Sequence, residues 1–364
     1  MSIATLEGGH LDRYDRQLRI TGGTDLDREW QRLRVLLVGC GGVGTILAQT
    51  LVRSGIGFLT LLDGDRVRVT DLHRQVLYHQ EDANRGRAKV IVAGRELDKI
   101  GGRTQLKMIP EMLTPTNAEA HFLAHDVVMD ATDHIAARTL IDQTAMQTGV
   151  GWIHSGAIAD RWVAASFLPP GTPCYHCWVA ESPAPGAIGT CESDGVLPVA
   201  CLAAAAAAIR LLVNEIRRPH RDNLGHDSPV STRRTILRGN IAEGEKAVEL
   251  EADPDCPRCG LRSQSTVPDR QERSGAHLRK LCGSGSVETW LQLDLDEIES
   301  RLLQLDCEIR WHRSATAIRS DGPSGSLICY RDGRALLTGN HSETVEQAQQ
   351  QLESWLGKDA LWTR

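Results

Sequence analysis

No run of apolar residues in this 364-residue chain reaches the length of a membrane span. The longest, from Val196 to Ile209, contains Pro198 and is closed by Arg210, against the roughly 18 or more residues a span needs, so a membrane protein is not expected. Positive charge is not in excess either: 41 Lys and Arg against 47 Asp and Glu give −6, and without a basic field duplex nucleic acid is not expected as the primary partner. The N-terminal stretch MSIATLEGGHLDRYDRQ has no basic region leading into an apolar one and does not resemble a signal peptide. The expected compartment is therefore the cytoplasm, where thiols stay reduced, and the ten cysteines become thiols, metal ligands or redox groups whose spacing is informative. Internal repeats are absent, and the only low-complexity feature is a run of six alanines, Ala203 to Ala208. At 41% hydrophobic and 24% charged, the composition suits one large globular domain plus a small one.

Residues 34–63 read as one βαβ unit: RVLLVG as a strand, GCGGVG as a turn, VGTILAQTLVRSG as a helix and FLTLLD as a second strand. Further strands are expected at DVVMDAT (126–132) and GWIHSGA (151–157), with helices at RAKVIVAGRELDKI and AARTLIDQTAMQTG. This alternation predicts a Rossmann-like, doubly wound, mostly parallel sheet. It continues into an antiparallel part from RWVAASFLPPG onward, including STRRTILRG, with loop from Pro169 to Leu197 and an alanine-rich core helix over 202–216. The expected division is a domain over 1–262, with its nucleotide site in 34–150 and a cysteine-bearing loop region in 160–262. A linker over 263–275 leads to a small α+β domain over 276–364. That last part carries a helix at DLDEIESRLLQL, a hairpin around Asp332-Gly333 and a final helix at ETVEQAQQQLESWL.

The GCGGVG turn, with Gly39, Gly41, Gly42 and Gly44, lies between strand and helix. There glycine lets backbone N–H groups approach a phosphate and the helix N-terminus favours an anion. Asp63 closes the next strand, where an acid accepts from ribose hydroxyls. These two features leave dinucleotide and ATP open. Downstream charges separate them: Arg74 in DLHRQ, Lys89 in GRAK, and Asp130 and Asp133 in DATD. A nicotinamide cofactor asks for no such set, whereas attack at phosphorus spreads charge that Arg and Lys clamp and a carboxylate-held Mg²⁺ neutralises. Two Cys-x-x-Cys pairs, Cys174/Cys177 and Cys256/Cys259, supply four thiolates for one tetrahedral Zn²⁺. A dithiol redox centre explains only one pair.

In order along the chain, RYDRQ (13–17), GCGGVG, LLDGD (61–65), DLHRQ (71–75), GRAK (86–89), DATD (130–133), SGAI (155–158), PCYHC (173–177), TCESDGV (190–196) and DPDCPRCG (253–260) resemble the ThiF/MoeB/HesA branch of the ubiquitin-activating enzyme superfamily. The tail, with KLCGSGSVE and YRDGRALLTG, is similar to the small C-terminal domain of some ThiF-type members. The resemblance implies an adenylyltransferase in which the C-terminal glycine carboxylate of a ubiquitin-like sulfur carrier ending in Gly-Gly attacks the α-phosphate of ATP. Asp63, with Asp65 beside it, would hold the ribose end, Arg74 and Lys89 the phosphates, and Asp133 the Mg²⁺. Arg16 would reach into the partner subunit of a homodimer. Cys191 falls where ThiF-type members keep a cysteine that links to the activated carrier, and a cysteine desulfurase or another sulfur donor is the further partner such chemistry calls for. Cys40, Cys201, Cys282, Cys307 and Cys329 read as small core residues.

Two residues depart from the family pattern: Asp71 stands where Asn is usual in DLHRQ, and His134 replaces the Asn after DATD. A carboxylate at 71 would repel a phosphate charge by about 4 kcal/mol at 4 Å and an effective dielectric near 20. Two alternatives therefore stand beside the leading reading: adenylation of a peptide or small carboxylate, and a noncatalytic nucleotide-binding scaffold.

Overall fold

The computed structural model describes residues 11–168, 173–179, 194–217, 233–260, 278–280, 287–305, 309–313, 317–322, 325–330, 334–338 and 344–360. They form two compact units, one within 11–260 and one within 278–360.

The first unit opens with two helices, α1 (Leu11–Leu18) and α2 (Gly23–Arg32), followed by β1 (Arg34–Val38), α3 (Gly42–Ser54) and β2 (Phe58–Leu62). Next come α4 (Gln80–Asn84), α5 (Lys89–Ile100), β3 (Gln105–Ile109), α6 (Ala118–Leu123), β4 (Val127–Asp130) and α7 (Ile135–Thr148). The remainder is β5 (Gly151–Ile158), β6 (Arg161–Phe167), α8 (Tyr175–Trp178), α9 (Pro198–Arg217), β7 (Arg233–Asn240) and β8 (Gly244–Glu251). They build one eight-stranded sheet in the order β3-β2-β1-β4-β5-β6-β7-β8. The first five strands run parallel, and β6 to β8 are antiparallel to their neighbours. This is the mostly parallel, Rossmann-like sheet with an antiparallel extension that the sequence predicts.

β1 shows why an unbroken apolar run becomes a central strand. Successive side chains alternate faces, so Val35 and Leu37 enter one core with Leu47, Leu51 and Ala204, while Leu36 and Val38 enter the other with Phe122, Ile141 and Trp152. Both faces are covered by helices, as a parallel sheet requires.

The loop expected from Pro169 to Leu197 contains a short helix, α8, among its described residues. The alanine helix α9 starts earlier than expected, at Pro198, where a missing N–H costs nothing, and packs on β5, β6 and α3. Its small residues Ala204, Ala205, Ala207 and Ala208 are buried, letting the helix approach the sheet closely. Arg210 closes the apolar run but lies inside the helix, as the expected span over 202–216 requires: its side chain pairs with Glu245 of β8 and the helix runs on. As a result Pro198–Ile216, with mean hydropathy 1.8, is long and apolar enough by composition to cross a membrane, the one such helix among the described residues.

The second unit holds β9 (Arg279–Lys280), β10 (Val287–Trp290), α10 (Leu295–Leu303), β11 (Arg310–Arg313), β12 (Ala317–Gly322), β13 (Gly325–Tyr330), β14 (Arg334–Thr338) and α11 (Val345–Leu356). Its antiparallel sheet has the order β11-β12-β13-β14-β10-β9. Ile298 and Leu302 of α10 and Ala348 and Leu352 of α11 pack with Ile318, Leu327 and Leu337 in its core. Asp294 caps α10 through the N–H groups of Asp296 and Glu297. The expected hairpin is the β13–β14 pair, while its tip at Asp332-Gly333 lies outside the described residues, as do the expected linker and Cys282 and Cys307.

Candidate active site

Strand order 3-2-1-4-5 reverses direction at β1, so a crevice opens beyond the carboxyl ends of β1 and β4, where ligands bind in open α/β sheets. The Gly39–Gly44 turn leaves β1 there, Asp63 leaves β2, and Asp130–Asp133 leaves β4.

Three of the four glycines are required by the protein itself. A methyl group on Gly44 would lie 2.0 Å from the Gly39 carbonyl oxygen, one on Gly39 (φ +93°) 2.7 Å from the Ala131 oxygen, and one on Gly42 2.8 Å from Cys201 Sγ and 3.2 Å from Arg74 Cγ. Gly41 differs: the nearest atom to such a methyl is Gln75 Nε2 at 3.9 Å. The space over Gly41 is open at the start of α3, which suits a phosphate held by backbone N–H groups. Gln75 itself is buried, and its Oε1 has no hydrogen-bond partner.

The turn is pinned from two sides. Cys40 N–H donates to Asp63 Oδ2 at 2.6 Å, and the Tyr78 hydroxyl donates to the Cys40 carbonyl at 2.7 Å. Asp63 Oδ1 accepts from Asp65 N–H at 2.7 Å, so a ribose hydroxyl would use the remaining lone pairs of this carboxylate. Lys89 Nζ lies 3.3 Å from Asp65 Oδ2. Burial alone would lower the Lys89 pKa, but the charges of Asp65, Asp63, Asp71 and Asp133 outweigh it and raise it. The lysine is a fixed positive charge in the field of four carboxylates.

Asp71 is buried, and its oxygens accept from Arg68 N–H at 3.0 Å and from Arg74 Nη2 at 3.4 Å. The repulsion expected for a carboxylate here is thus met within the motif by Arg74, which also donates to the Thr70 carbonyl at 2.9 Å. Asp133 takes a 2.5 Å hydrogen bond from His134 Nδ1. The surrounding protein would raise the Asp133 pKa, yet the His134 bond and the charges of Lys89 and Arg138 hold it well below the usual carboxylate range. It stays ionised and able to hold a divalent cation.

The structure therefore brings together Gly39, Gly41, Gly42, Gly44, Asp63, Asp65, Arg74, Lys89 and Asp133. Arg16 on α1 is not among them: its side chain is 91% exposed, with Asp15 at 4.0 Å. Cys191 lies outside the described residues. Cys174, Cys177, Cys256 and Cys259 do meet, with all four Sγ atoms within 4.8 Å of one another. The 174–256 and 177–259 pairs lie at 3.7 and 3.4 Å, close to the roughly 3.8 Å edge of a tetrahedron with Zn–S bonds of about 2.3 Å. The donor set and spacing fit zinc.

Sequence reasoning missed the residues that hold these groups: Tyr78, Arg138, Asp142 and His154. The one available signal was Asp142, a lone charge in the otherwise uncharged stretch TLIDQTAM.

A family model for the ThiF family matches residues 14–258. The chain belongs to the ThiF family. Among ThiF-type relatives, it is 26% identical over 354 residues to the sulfur carrier protein ThiS adenylyltransferase of Bacillus subtilis, covering 95% of this chain and 99% of that protein. It is 30% identical over 260 residues to the sulfur carrier protein adenylyltransferase of Thermus thermophilus, covering 69% and 91%. The ThiF-type fold is shared with a crystal structure of E. coli MccB with MccA-N7isoASN, at a TM-score of 0.56 and 20% identity over 70% of this chain and 75% of that one.

Proposed function

We propose that the protein is an ATP-dependent adenylyltransferase that activates the C-terminal glycine carboxylate of a ubiquitin-like sulfur carrier. The observation that carries this reading is Lys89, held charged among Asp63, Asp65, Asp71 and Asp133 beside the open space over Gly41, in a chain whose relatives are named sulfur carrier protein adenylyltransferases. A carboxylate oxygen of the carrier attacks the α-phosphorus, an O–P bond forms, the α–β anhydride bond breaks, and pyrophosphate leaves. Backbone N–H groups around Gly41 and the side chains of Arg74 and Lys89 stabilise the charge that spreads over the phosphate oxygens. Asp63 and Asp65 orient the ribose. Asp133 is the residue that would hold Mg²⁺, whose charge neutralises the phosphates.

In this reading Arg16 completes the site of a partner copy in a homodimer, Cys191 receives the activated acyl group during sulfur transfer, and a cysteine desulfurase or similar donor supplies the sulfur. The setting is cytoplasmic. The four cysteines hold Zn²⁺, and the functional division is an adenylation domain over 1–262 and an accessory domain over 276–364. One observation favours a second reading, a nucleotide-binding scaffold: Asp71 engages Arg74 and so competes with phosphate for it.

The deciding experiment is ATP–pyrophosphate exchange with Mg²⁺, with and without a carrier ending in Gly-Gly. Carrier-dependent exchange that is lost in Asp133→Ala, with nucleotide still bound, supports the proposal. ATP binding without exchange in the presence of a competent carrier favours the scaffold.

A further inference from the structure

Helix α7 carries two charged side chains four residues apart, hence on one face and about 6 Å apart along the axis. Arg138 reaches the turn after β4: its Nη2 donates to the Thr132 carbonyl at 2.9 Å, and its Nε lies 3.9 Å from Asp130 Oδ2. That turn is otherwise closed on Asp130, whose Oδ1 accepts from Thr132 N–H at 2.9 Å and the Thr132 hydroxyl at 2.6 Å, and whose Oδ2 accepts from His154 Nδ1 at 2.7 Å. Asp133 is the next residue along. One turn further down α7, Asp142 accepts from Tyr175 N–H at 3.0 Å and from Arg258 Nη1 at 3.1 Å, so it holds one residue from inside each Cys-x-x-Cys pair.

The same connection runs through the rings. Tyr175 packs at 6.2 Å from His154 and 5.6 Å from Trp152, and Trp178 at 5.8 Å from His154, all between ring centroids. Arg138 Nε is buried without a hydrogen-bond partner of its own.

We propose that Arg138 is a positioning residue for Asp133 and that, with Asp142, it makes the four-cysteine centre part of the nucleotide site's scaffolding. The inference rests on the adenylation reading for the role of Asp133. Losing Arg138, or losing the metal that clamps Tyr175 in place, frees the Asp130–Asp133 turn. The affected property is the Mg²⁺ dependence of nucleotide binding.

The test is a Mg²⁺ titration of ATP binding by the full chain, followed by calorimetry and by tryptophan emission, together with zinc content and thermal melting. In Arg138→Gln, with zinc retained, the Mg²⁺ concentration for half-maximal ATP binding is expected to rise about tenfold, the scale of loss when a group orienting a metal ligand is removed. Mg²⁺-free ATP binding should not change, and Arg138→Lys should fall between. Wild type stripped of zinc by chelator should shift in the same direction, and refilling with Zn²⁺ should reverse it. An unchanged Mg²⁺ dependence in zinc-loaded Arg138→Gln overturns the proposal, and if that variant does not fold, an unchanged dependence in zinc-stripped wild type does so. Wild type that binds ATP without any Mg²⁺ dependence overturns the role of Asp133 and this inference with it, a result distinct from failure of the variant alone.

Discussion

Asp142 and Arg258 meet at 3.1 Å across a sequence separation of 116 residues, and the aspartate is almost fully buried while doing so. Because Asp142 also holds Tyr175 N–H, it ties down a residue inside each half of the four-cysteine centre. Two of the thiols, Cys174 and Cys177, are held protonated above the ordinary thiol range. Burial pushes Cys177 up to about 11, and a hydrogen bond involving Cys259, then burial, pushes Cys174 up as well. Zinc binds thiolates, so uptake must release protons and the apparent affinity must rise with pH. We expect about one zinc per chain, proton release visible as a dependence of the calorimetric enthalpy on buffer, and zinc lost about tenfold more readily to a chelator from Asp142→Ala. Buffer-independent enthalpy, or no metal in protein purified without chelator, contradicts the assignment.

The glycine turn separates what the fold needs from what a nucleotide needs. Gly44→Ala would drive a methyl to 2.0 Å from the Gly39 oxygen, an overpacking expected to cost about 1–3 kcal/mol or more and to show as a lowered melting temperature. Gly41→Ala meets nothing closer than 3.9 Å and should melt like wild type. Its methyl occupies the space assigned to phosphate, so ATP binding should fall sharply. Equal ATP affinity in Gly41→Ala and wild type would place the phosphates elsewhere.

Asp71 presents a competition between two acceptors for one guanidinium. Asp71→Asn keeps an oxygen for Arg68 N–H but removes the charge that holds Arg74 at 3.4 Å. Freed, Arg74 can turn its full charge to phosphate. ATP should bind about tenfold more tightly, corresponding to about 1.4 kcal/mol, as measured by equilibrium dialysis. Weaker binding in Asp71→Asn would mean that the pairing orients Arg74 rather than restrains it.

The β1–α3–β2 unit was legible because its apolar pattern changes from continuous to helical and back within a short stretch, and glycine marks each change. β3 and β8 were not, since they lie at the edges of the sheet and their many exposed residues, such as Lys107 and Lys246, leave no apolar run. The charged set around Lys89 could be assembled from motif order, because Asp63, Asp65 and Asp133 follow strand ends and Lys89 begins a helix. Arg138, Asp142 and His154 could not, because their partners lie in other elements. Only closure of the sheet, which places β4 beside β5, brings His154 onto Asp130.

That same pair gives a pH dependence. Burial lowers the His154 pKa, the Arg138 charge adds to this, and the Asp130 hydrogen bond only partly opposes it. The folded protein therefore keeps the imidazole neutral in a range where the unfolded chain takes up a proton. With more protons bound in the unfolded state, stability rises with pH. The contribution is full above the ordinary histidine value of about 6.5 and is lost as pH falls below it. Asp130 acts in the same sense at lower pH: burial would raise it, but His154 and Arg138 depress it, so its contribution is lost as pH falls below the ordinary carboxylate range. Thermal melting from pH 7.5 to 5 should show a steeper loss for wild type than for His154→Gln, which starts less stable. Parallel curves would assign the slope to other groups.

Arg16 is displayed by a helix that is otherwise firmly anchored. On α1, Tyr14 is buried beneath the Arg103 guanidinium at 4.1 Å, Gln17 donates to Asp27 Oδ1 at 3.3 Å and to the Ser54 carbonyl at 3.1 Å, and Arg13 donates to the Ile100 carbonyl at 2.8 Å. A helix pinned on one side while Arg16 projects into solvent suits a residue that acts on another copy. If so, Arg16→Ala and Asp133→Ala should each be inactive alone, yet mixing them should restore exchange. A mixed dimer has one site with its own Asp133 and an intact Arg16 from the partner, so random pairing of equal amounts returns about a quarter of wild-type sites. An Arg16 that serves its own chain gives no recovery, because every site in the mixture then carries one defect. The readout is pyrophosphate exchange after subunit mixing, with each variant alone as its control.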